Sequence, residues 1–385
     1  MPSPTQRATK LFVRTFGTSP DACFQAPGRI NLMGEHTDYN EGFVLPAAVN
    51  FRVLVAVKHR EDNLFRVVTD IDSEDFVEWT FGQEDLESKE FHWSHYLKSF
   101  TAALAMSGLE STGVDVAIIS DIPVEHGFSS SAALQIAFGT AVNDASHLFL
   151  SPLAIAQLAQ RGEHQFMART CGMKDQMISA LAESNQALLI DCLDLDYEAV
   201  TIPDSLSLII VHSGKYAQDV QRKFQLRKNE CQQVAEYFGL ESLRHISESQ
   251  LKQHQNQLAE HLYNRARHVI TENARTQNAA RALKQGNVKK LSQLMAQSHQ
   301  SMRDDFAMSI PEIDLLVDII QQQVGDRGGV RLTGSGFGGS VVALVEHELT
   351  DDVVTAVETQ YLSQTGIEAQ VYLCSAAEAA AKVAE

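Results

Sequence analysis

Cysteine is scarce in this chain of 385 residues: there are five, at Cys23, Cys171, Cys192, Cys231 and Cys374, odd in number and far apart. With no C-x-x-C pair, neither a disulfide framework nor a thiolate zinc site is expected, and a reducing cytoplasm is the natural home. Basic residues are also in deficit. Thirty-one Lys and Arg stand against 49 Asp and Glu, a formal net charge of −18. That balance argues against nucleic acid as a partner, because phosphate backbones are bound by basic patches. A small anionic ligand stays admissible if local donors, a helix N-terminus or a metal ion overcome the overall field. No apolar run approaches a membrane span, and the opening MPSPTQRATKLFVRTFG lacks the apolar run of a secretory leader. Repeats, low-complexity linkers and long charge blocks are missing too. So are the motifs G-x-x-x-x-G-K-[ST], H-E-x-x-H and G-x-S-x-G; Gly214-Lys215, the nearest approach to the first, is followed by Tyr216.

What is present reads as an ordinary globular chain, 44% hydrophobic and 21% charged. β-Branched and aromatic runs predict strands at Phe51–Lys58, Leu64–Thr69, Phe76–Phe81, Val114–Ser120, Ala187–Cys192 and Ser207–Ser213. Helical spacing predicts helices at Trp93–Met106 and Ser130–Leu148, and at Ser151–Ala168 behind a Ser-Pro start. The second half is more helical, with Gln218–Phe238, an interrupted Leu251–Lys284 and Val288–Arg303. A glycine-rich strand pair follows around Gly328–Val345, then a helix near Asp351–Ser363 and a strand at Gln370–Leu373. The tail AAEAAAKVAE reads as a frayed helix. The order fits two α+β domains in contact, residues 1–200 and 201–385, although no Pro/Gly/Ser linker marks the boundary.

Four segments concentrate chemistry. Pro27–Tyr39, PGRINLMGEHTDY, packs Arg29, Asn31, Glu35, His36, Thr37 and Asp38 between glycines. Such charge is tolerated away from water only when paired, and the mixture of donors and acceptors predicts a polar pocket for a small polyhydroxylated ligand. Ile122–Leu134, IPVEHGFSSSAAL, runs from a strand end into a helix opened by three serines. Capping needs one; three at a helix N-terminus favour an anion site. Arg331–Ser340, RLTGSGFGGS, satisfies G-x-G-x-x-G in form, but the following residues continue as a strand rather than a helix. A glycine-rich turn between two strands, close to a ligand, is the better reading. In Arg169–Ala180, RTCGMKDQMISA, Asp175 opens an apolar-periodic run, where a carboxylate is commonly a cap.

In this order the four segments resemble the small-molecule kinase superfamily that includes galactokinase, homoserine kinase, mevalonate kinase and phosphomevalonate kinase. Within it, GRINLMGEHTDYNEGFVLPAA resembles the galactokinase signature nearly residue for residue, and the likeness covers essentially the whole chain. The resemblance implies an N-terminal domain like ribosomal protein S5 packed on a ferredoxin-like C-terminal domain, with the site in the cleft. It implies transfer of the γ-phosphoryl group of MgATP to the C1 hydroxyl of galactose. By motif position, Asp175 is the general base and Arg29 its cationic neighbour. Glu35, His36, Thr37, Asp38, Gly172 and Phe224 meet the sugar. Glu125, His126, Gly127, Phe128, Ser129, Ser130 and Ser131 wrap the triphosphate, with Trp93 near the adenine. Ser131 and Glu163 hold Mg2+. No nucleic acid or membrane partner is implied, and the expected state is a monomer or weak homodimer.

The chain departs from the family pattern at four places. Glu125 replaces a glycine of the phosphate loop, where a carboxylate repels triphosphate. Phe224 stands where a tyrosine usually meets the sugar. Ser335 replaces a glycine in the late turn. Lys174 precedes the base where a hydrophobic residue is usual; facing Asp175 it would weaken that base, and facing solvent it would do nothing. Two alternatives follow from these changes: a kinase for another hexose or an amino sugar, and a catalytically weak sugar-binding regulator.

Overall fold

The computed structural model describes residues 3–70, 75–86, 91–124, 126–167, 172–216 and 219–384. These residues build two sheets. The first takes β1 (Ala22–Met33), β2 (Phe43–His59), β3 (Leu64–Thr69), β4 (Asp75–Thr80), β5 (Val114–Ser120), β6 (Gln186–Asp191) and β7 (Tyr197–Thr201). The second takes β8 (Leu206–His212), β9 (Gly328–Thr333), β10 (Ser340–Glu346) and β11 (Gln370–Cys374). A last short strand, β12 (Ala381–Lys382), returns to the first sheet. The strand orders are β12-β1-β2-β5-β3-β4, with β6 and β7 attached through β2, and β11-β8-β10-β9. The chain thus changes sheets between Thr201 and Leu206.

Strand β2 is long because it serves two partners. Its first half pairs with β6 and its second half with β5. Pro46 sits inside it, where the β1–β2 ladder slips register between Asn31 and Met33; a residue without an N–H is tolerated at such an irregularity. Helices His95–Met106, Ser130–Ala145 and Pro152–Phe166 pack with this sheet around Phe100, Phe138 and Ile155. Ser151 caps the third of them by accepting from the Ala154 N–H, as the Ser-Pro start predicts. The same core continues into Ala279–Leu283 and Met295 of the second half, so the two sheets do not have separate interiors. The other face of the second sheet packs against Ile313–Ile320 and Tyr361.

Most predicted elements are present within a few residues of their predicted limits. The G-x-G-x-x-G segment is the turn between antiparallel β9 and β10. The break in Leu251–Lys284 falls between helices Glu248–Gln253 and Glu260–Lys284. Three findings differ. The alanine-rich tail is not helical: Ala381 and Lys382 pair with Gln25 and Phe24 of β1, because tertiary pairing outweighs alanine's helix propensity. The predicted helix near Asp351–Ser363 is interrupted by a wider turn at Val357–Tyr361. The motif Pro27–Tyr39 is half strand, since β1 runs on through Pro27 and Gly28 to Met33. The run opened by Asp175 is helix Lys174–Leu181, while helices Pro4–Phe16 and Pro311–Val324 and strand β7 are additional.

Candidate active site

Side chains alternate along β1, so Arg29 and Asn31 share one face while Ile30 and Leu32 enter the core. The chain then turns sharply at Gly34, whose φ is +87°. A Cβ there would lie 2.4 Å from the Phe43 carbonyl oxygen, so no side chain fits. Thr37 closes the turn from inside: its hydroxyl lies 2.9 Å from the Gly34 carbonyl oxygen and 2.7 Å from that of Phe43.

Arg29 and Asp175 form a two-pronged pair. Arg29 Nε donates to Asp175 Oδ1 at 2.7 Å and Nη2 to Oδ2 at 2.8 Å. Ser129 Oγ donates to the same Oδ2 at 2.7 Å. Burial pushes the Asp175 carboxyl up, but the charges of Arg29 and Lys174 outweigh it and pull the pKa down to about 2. Arg29 also grips the serine-rich loop. Its Nη1 donates to the Gly127 carbonyl at 2.7 Å, and its backbone N–H to that of Phe128 at 2.9 Å.

Glu35 is fixed from the second sheet. Its Oε1 accepts from the Gly334 N–H at 2.8 Å and from Arg331 Nη1 at 3.4 Å, and lies 3.1 Å from Thr333 Oγ1, whose one proton it shares with the Asn31 carbonyl oxygen. Arg331 is fully buried and also reaches Ser298 Oγ. Behind it, Glu272 accepts from Ser298 Oγ and from the Gly34 N–H, and pairs with Arg275. Burial would raise the Glu272 carboxyl, yet Arg275, His268 and Arg331 lower it to about 2.

His36 takes a positive φ of 62° and packs against Tyr39, Phe224 and Phe306. Its Nδ1 lies 3.0 Å from the Tyr39 hydroxyl. Burial pushes its pKa down to about 4, so the ring is neutral near pH 7. Lys174 faces into the site and pairs with Asp38 rather than Asp175, yet its charge still lowers the Asp175 carboxyl, the weakening of the base expected of an inward orientation. Its Nζ is 2.5 Å from Asp38 Oδ2, with both side chains largely buried. Burial would raise the Asp38 carboxyl, but Lys174 lowers it; the Lys174 ammonium is in turn stabilised by Asp38 and Asp175. Gly172 lies against this pair, where a Cβ would come within 2.8 Å of Asp38 Oδ2.

Arg29, Glu35, His36, Asp38, Gly172, Asp175 and Phe224 line one cavity of about 210 Å3. Asn31, Tyr39, Lys174, Gly334 and Ser335 complete its wall. A second cavity of about 410 Å3 is lined by Gly127, His212, Lys215, Tyr216 and the turn from Gly334 to Ser340. The two share Gly334 and Ser335. Thr37 lines neither, being committed to the turn.

In the serine-rich loop, Ser129 has φ +53° and makes no side-chain cap to the helix that follows. The first N–H groups of Ser130–Ala145 are therefore left without that partner. Ser130 is exposed and Ser131 half-buried. Phe128 is a core residue against Phe51 and Tyr372. His126 stacks on His212 with ring centres 4.0 Å apart, and its nitrogens reach the hydroxyls of Tyr372 and Tyr216. Glu163 is buried and accepts from Gln176 Nε2 at 2.8 Å. Trp93 donates to Asp75 and lines neither cavity. Glu125, Ala168, Cys171 and Gln218 lie outside the described residues.

Residues that the sequence reading left without a role are Tyr39, Lys215, Tyr216, Glu272 and Arg331; Asn31, placed in the predicted polar pocket, does line the smaller cavity. For the buried ion network no local signal exists, because its members come together only in three dimensions.

Known families fall on these same elements. The N-terminal domain of GHMP kinases matches residues 95–183, which carry the serine-rich loop and Asp175, and the GHMP kinase C-terminal domain matches 279–363, which carry the glycine-rich turn. The two-domain fold and its site are thus those of an ATP-dependent small-molecule kinase. The galactokinase galactose-binding signature matches residues 10–59, the stretch from Arg29 to Asp38 included. The structure of Lactococcus lactis galactokinase in complex with galactose superposes with a TM-score of 0.90 at 30% identity, covering 97% of this chain and 98% of that one. This chain belongs to the galactokinase family. Methanococcus jannaschii mevalonate kinase has a TM-score of 0.63 at 18% identity, covering 92% and 98%. Streptococcus pneumoniae phosphomevalonate kinase, also at 0.63, is 12% identical, covering 94% and 99%. These two share the fold. No helix among the described residues is long and apolar enough to cross a membrane.

Proposed function

We propose that this kinase transfers the γ-phosphoryl group of ATP to the C1 hydroxyl of α-D-galactose. The supporting observation is the Arg29–Asp175 pair, which stands in the smaller cavity and is tied through Gly127 to the edge of the larger one. The sugar occupies the smaller cavity, with Glu35, His36 and Asp38 on its hydroxyls. The triphosphate lies in the larger one, between the serine-rich loop and the glycine-rich turn. As the C1 oxygen bonds to the γ-phosphorus, the bond from that phosphorus to the β,γ-bridging oxygen breaks and ADP departs. The C1 proton passes to Asp175.

A carboxylate held at about 2 is a weak base. It takes the proton late, once bonding to phosphorus has made the C1 hydroxyl acidic, which suits a loose phosphoryl-transfer transition state. Arg29 neutralises charge on the transferring group from a fixed position, so positioning and electrostatics carry the rate. Ser131 and Glu163 would hold Mg2+. Their hydroxyl and carboxylate oxygens suit a hard ion that keeps several waters, and Gln176 already orients the Glu163 carboxylate. Bound there, the ion would supply charge neutralisation to the phosphates.

Lys174 bears on which sugar is taken. Its ammonium is neutralised by Asp38, so it fixes that carboxylate as an acceptor in the wall rather than adding net positive charge. The intact Arg29–Asp175 pair argues against a weak regulatory binder. We place the enzyme in the cytoplasm as a monomer or weak homodimer; the odd number and wide spacing of its five cysteines support a reducing setting. ADP release measured with MgATP across several hexoses tests the reading, with turnover expected on galactose. Galactose binding by calorimetry without any turnover would sink it.

A further inference from the structure

We propose that Asn31 is a sugar-binding residue whose amide pairs with one hydroxyl of the substrate as both donor and acceptor. The inference rests on the galactose reading and adds a contact to it.

Asn31 is 1% exposed, yet neither its Nδ2 nor its Oδ1 has a hydrogen-bond partner among the described residues. A buried amide left so is uncommon, and its desolvation is uncompensated until something pairs with it. The residue is not carelessly placed. Its backbone carbonyl faces Pro46, which has no N–H, and takes the Thr333 hydroxyl at 2.9 Å instead. The side chain lines the sugar cavity on the same strand face as Arg29. Among the described residues, the other buried side-chain polar atom of that wall without a protein partner is His36 Nε2.

The chemistry of the missing partner follows from what is unpaired. A phosphoryl oxygen only accepts, and would leave Oδ1 stranded. A sugar hydroxyl both donates and accepts, so one hydroxyl can serve Nδ2 and Oδ1 together. The charged wall residues are carboxylates that only accept and cations that only donate. Asn31 is thus a neutral member of the wall, beside His36, Tyr39 and Ser335, whose amide can tell a hydroxyl from its absence.

The test is Asn31→Leu, nearly the same size and without the amide. Wild-type binding of galactose is measured first, so that failure of the galactose reading is seen separately. Calorimetry then compares wild type and N31L on galactose and on its 2-, 3-, 4- and 6-deoxy analogues, and melting is followed without sugar. The variant is expected to bind galactose about tenfold more weakly. That loss should vanish for the one analogue lacking the paired hydroxyl. The sugar-free melting temperature should be no lower than that of wild type, because no protein hydrogen bond is removed. Unchanged galactose affinity, or an equal loss on every analogue with lowered melting, overturns the proposal. So does a changed KM for ATP with unchanged sugar binding. If leucine prevents folding, Asn31→Ala is read by the same criteria.

Discussion

Of the two cavities that share Gly334 and Ser335, the smaller is walled by charged side chains and the larger mainly by glycine backbone. In the smaller cavity, proposed for the sugar, nearly every ionisable group is held by another: Arg29 by Asp175, Asp38 by Lys174, and Glu35 by Arg331 and the Gly334 N–H. Around the larger cavity, proposed for the nucleotide, the wall is a turn with positive φ at Gly334, Gly336 and Gly339, closed by Lys215, Tyr216 and His212. The difference teaches how one cleft meets two demands. A sugar is told from its epimers by single hydroxyls, which needs fixed side-chain acceptors. Phosphates are alike in every nucleotide, and backbone N–H groups suffice to bind them.

The largest expected effect lies on the pair that stands between the two sides. Asp175→Asn should lower kcat by about a thousandfold while leaving circular dichroism and galactose binding near wild type. Near-normal ADP release would remove Asp175 from the chemistry and break the comparison at its centre. Next comes the sugar wall itself. Lys174→Met leaves Asp38 as a buried carboxylate without its cation, and should destabilise the fold by about 3 kcal/mol in urea melts. The KM for galactose should rise while that for ATP stays; a shift in ATP instead would mean that Lys174 serves the nucleotide. On the other side, His126→Ala removes the stack on His212 and the two tyrosine contacts that hold the serine-rich loop. The KM for ATP should rise about fivefold, the scale of one lost aromatic pair, with galactose unaffected. If galactose binding changes as much, the two sides are not separable. The smallest effect is a gain. Phe224→Tyr puts a hydroxyl into the sugar cavity and should tighten galactose about threefold, as read by calorimetry; equal or weaker binding would show that the ring does not face a sugar hydroxyl.

The sugar side was the more legible in sequence, for a physical reason. A pocket that needs many charged groups near one turn writes them close together, and Arg29, Glu35, His36 and Asp38 do line a single cavity. The remaining lining residues found from sequence, Gly172, Asp175 and Phe224, came through family resemblance, since no local pattern links them to residues 29–38. The orientation of Lys174 was beyond reach because its partner lies 136 positions earlier. Strand β1 was hidden by Pro27 and Gly28, which normally weaken a strand but here sit where the ladder to β2 slips. The tail misled through its alanines. Helix Pro311–Val324 was overlooked although its signals are ordinary, a proline at the start and Glu312 and Asp314 in the first turn.

The returning strand Ala381–Lys382 has a consequence for how the enzyme comes into being. It pairs with Phe24 and Gln25 on the strand that also carries Arg29 and Asn31. Its neighbour Glu35 is held by Thr333 and Gly334 from the other end of the chain. At a synthesis rate of about 5–20 residues per second, β1 waits tens of seconds before these partners emerge from the ribosome. The first strand made is thus among the last to be completed, and no nascent fragment that stops short of Ser335 holds the whole lining of the smaller cavity.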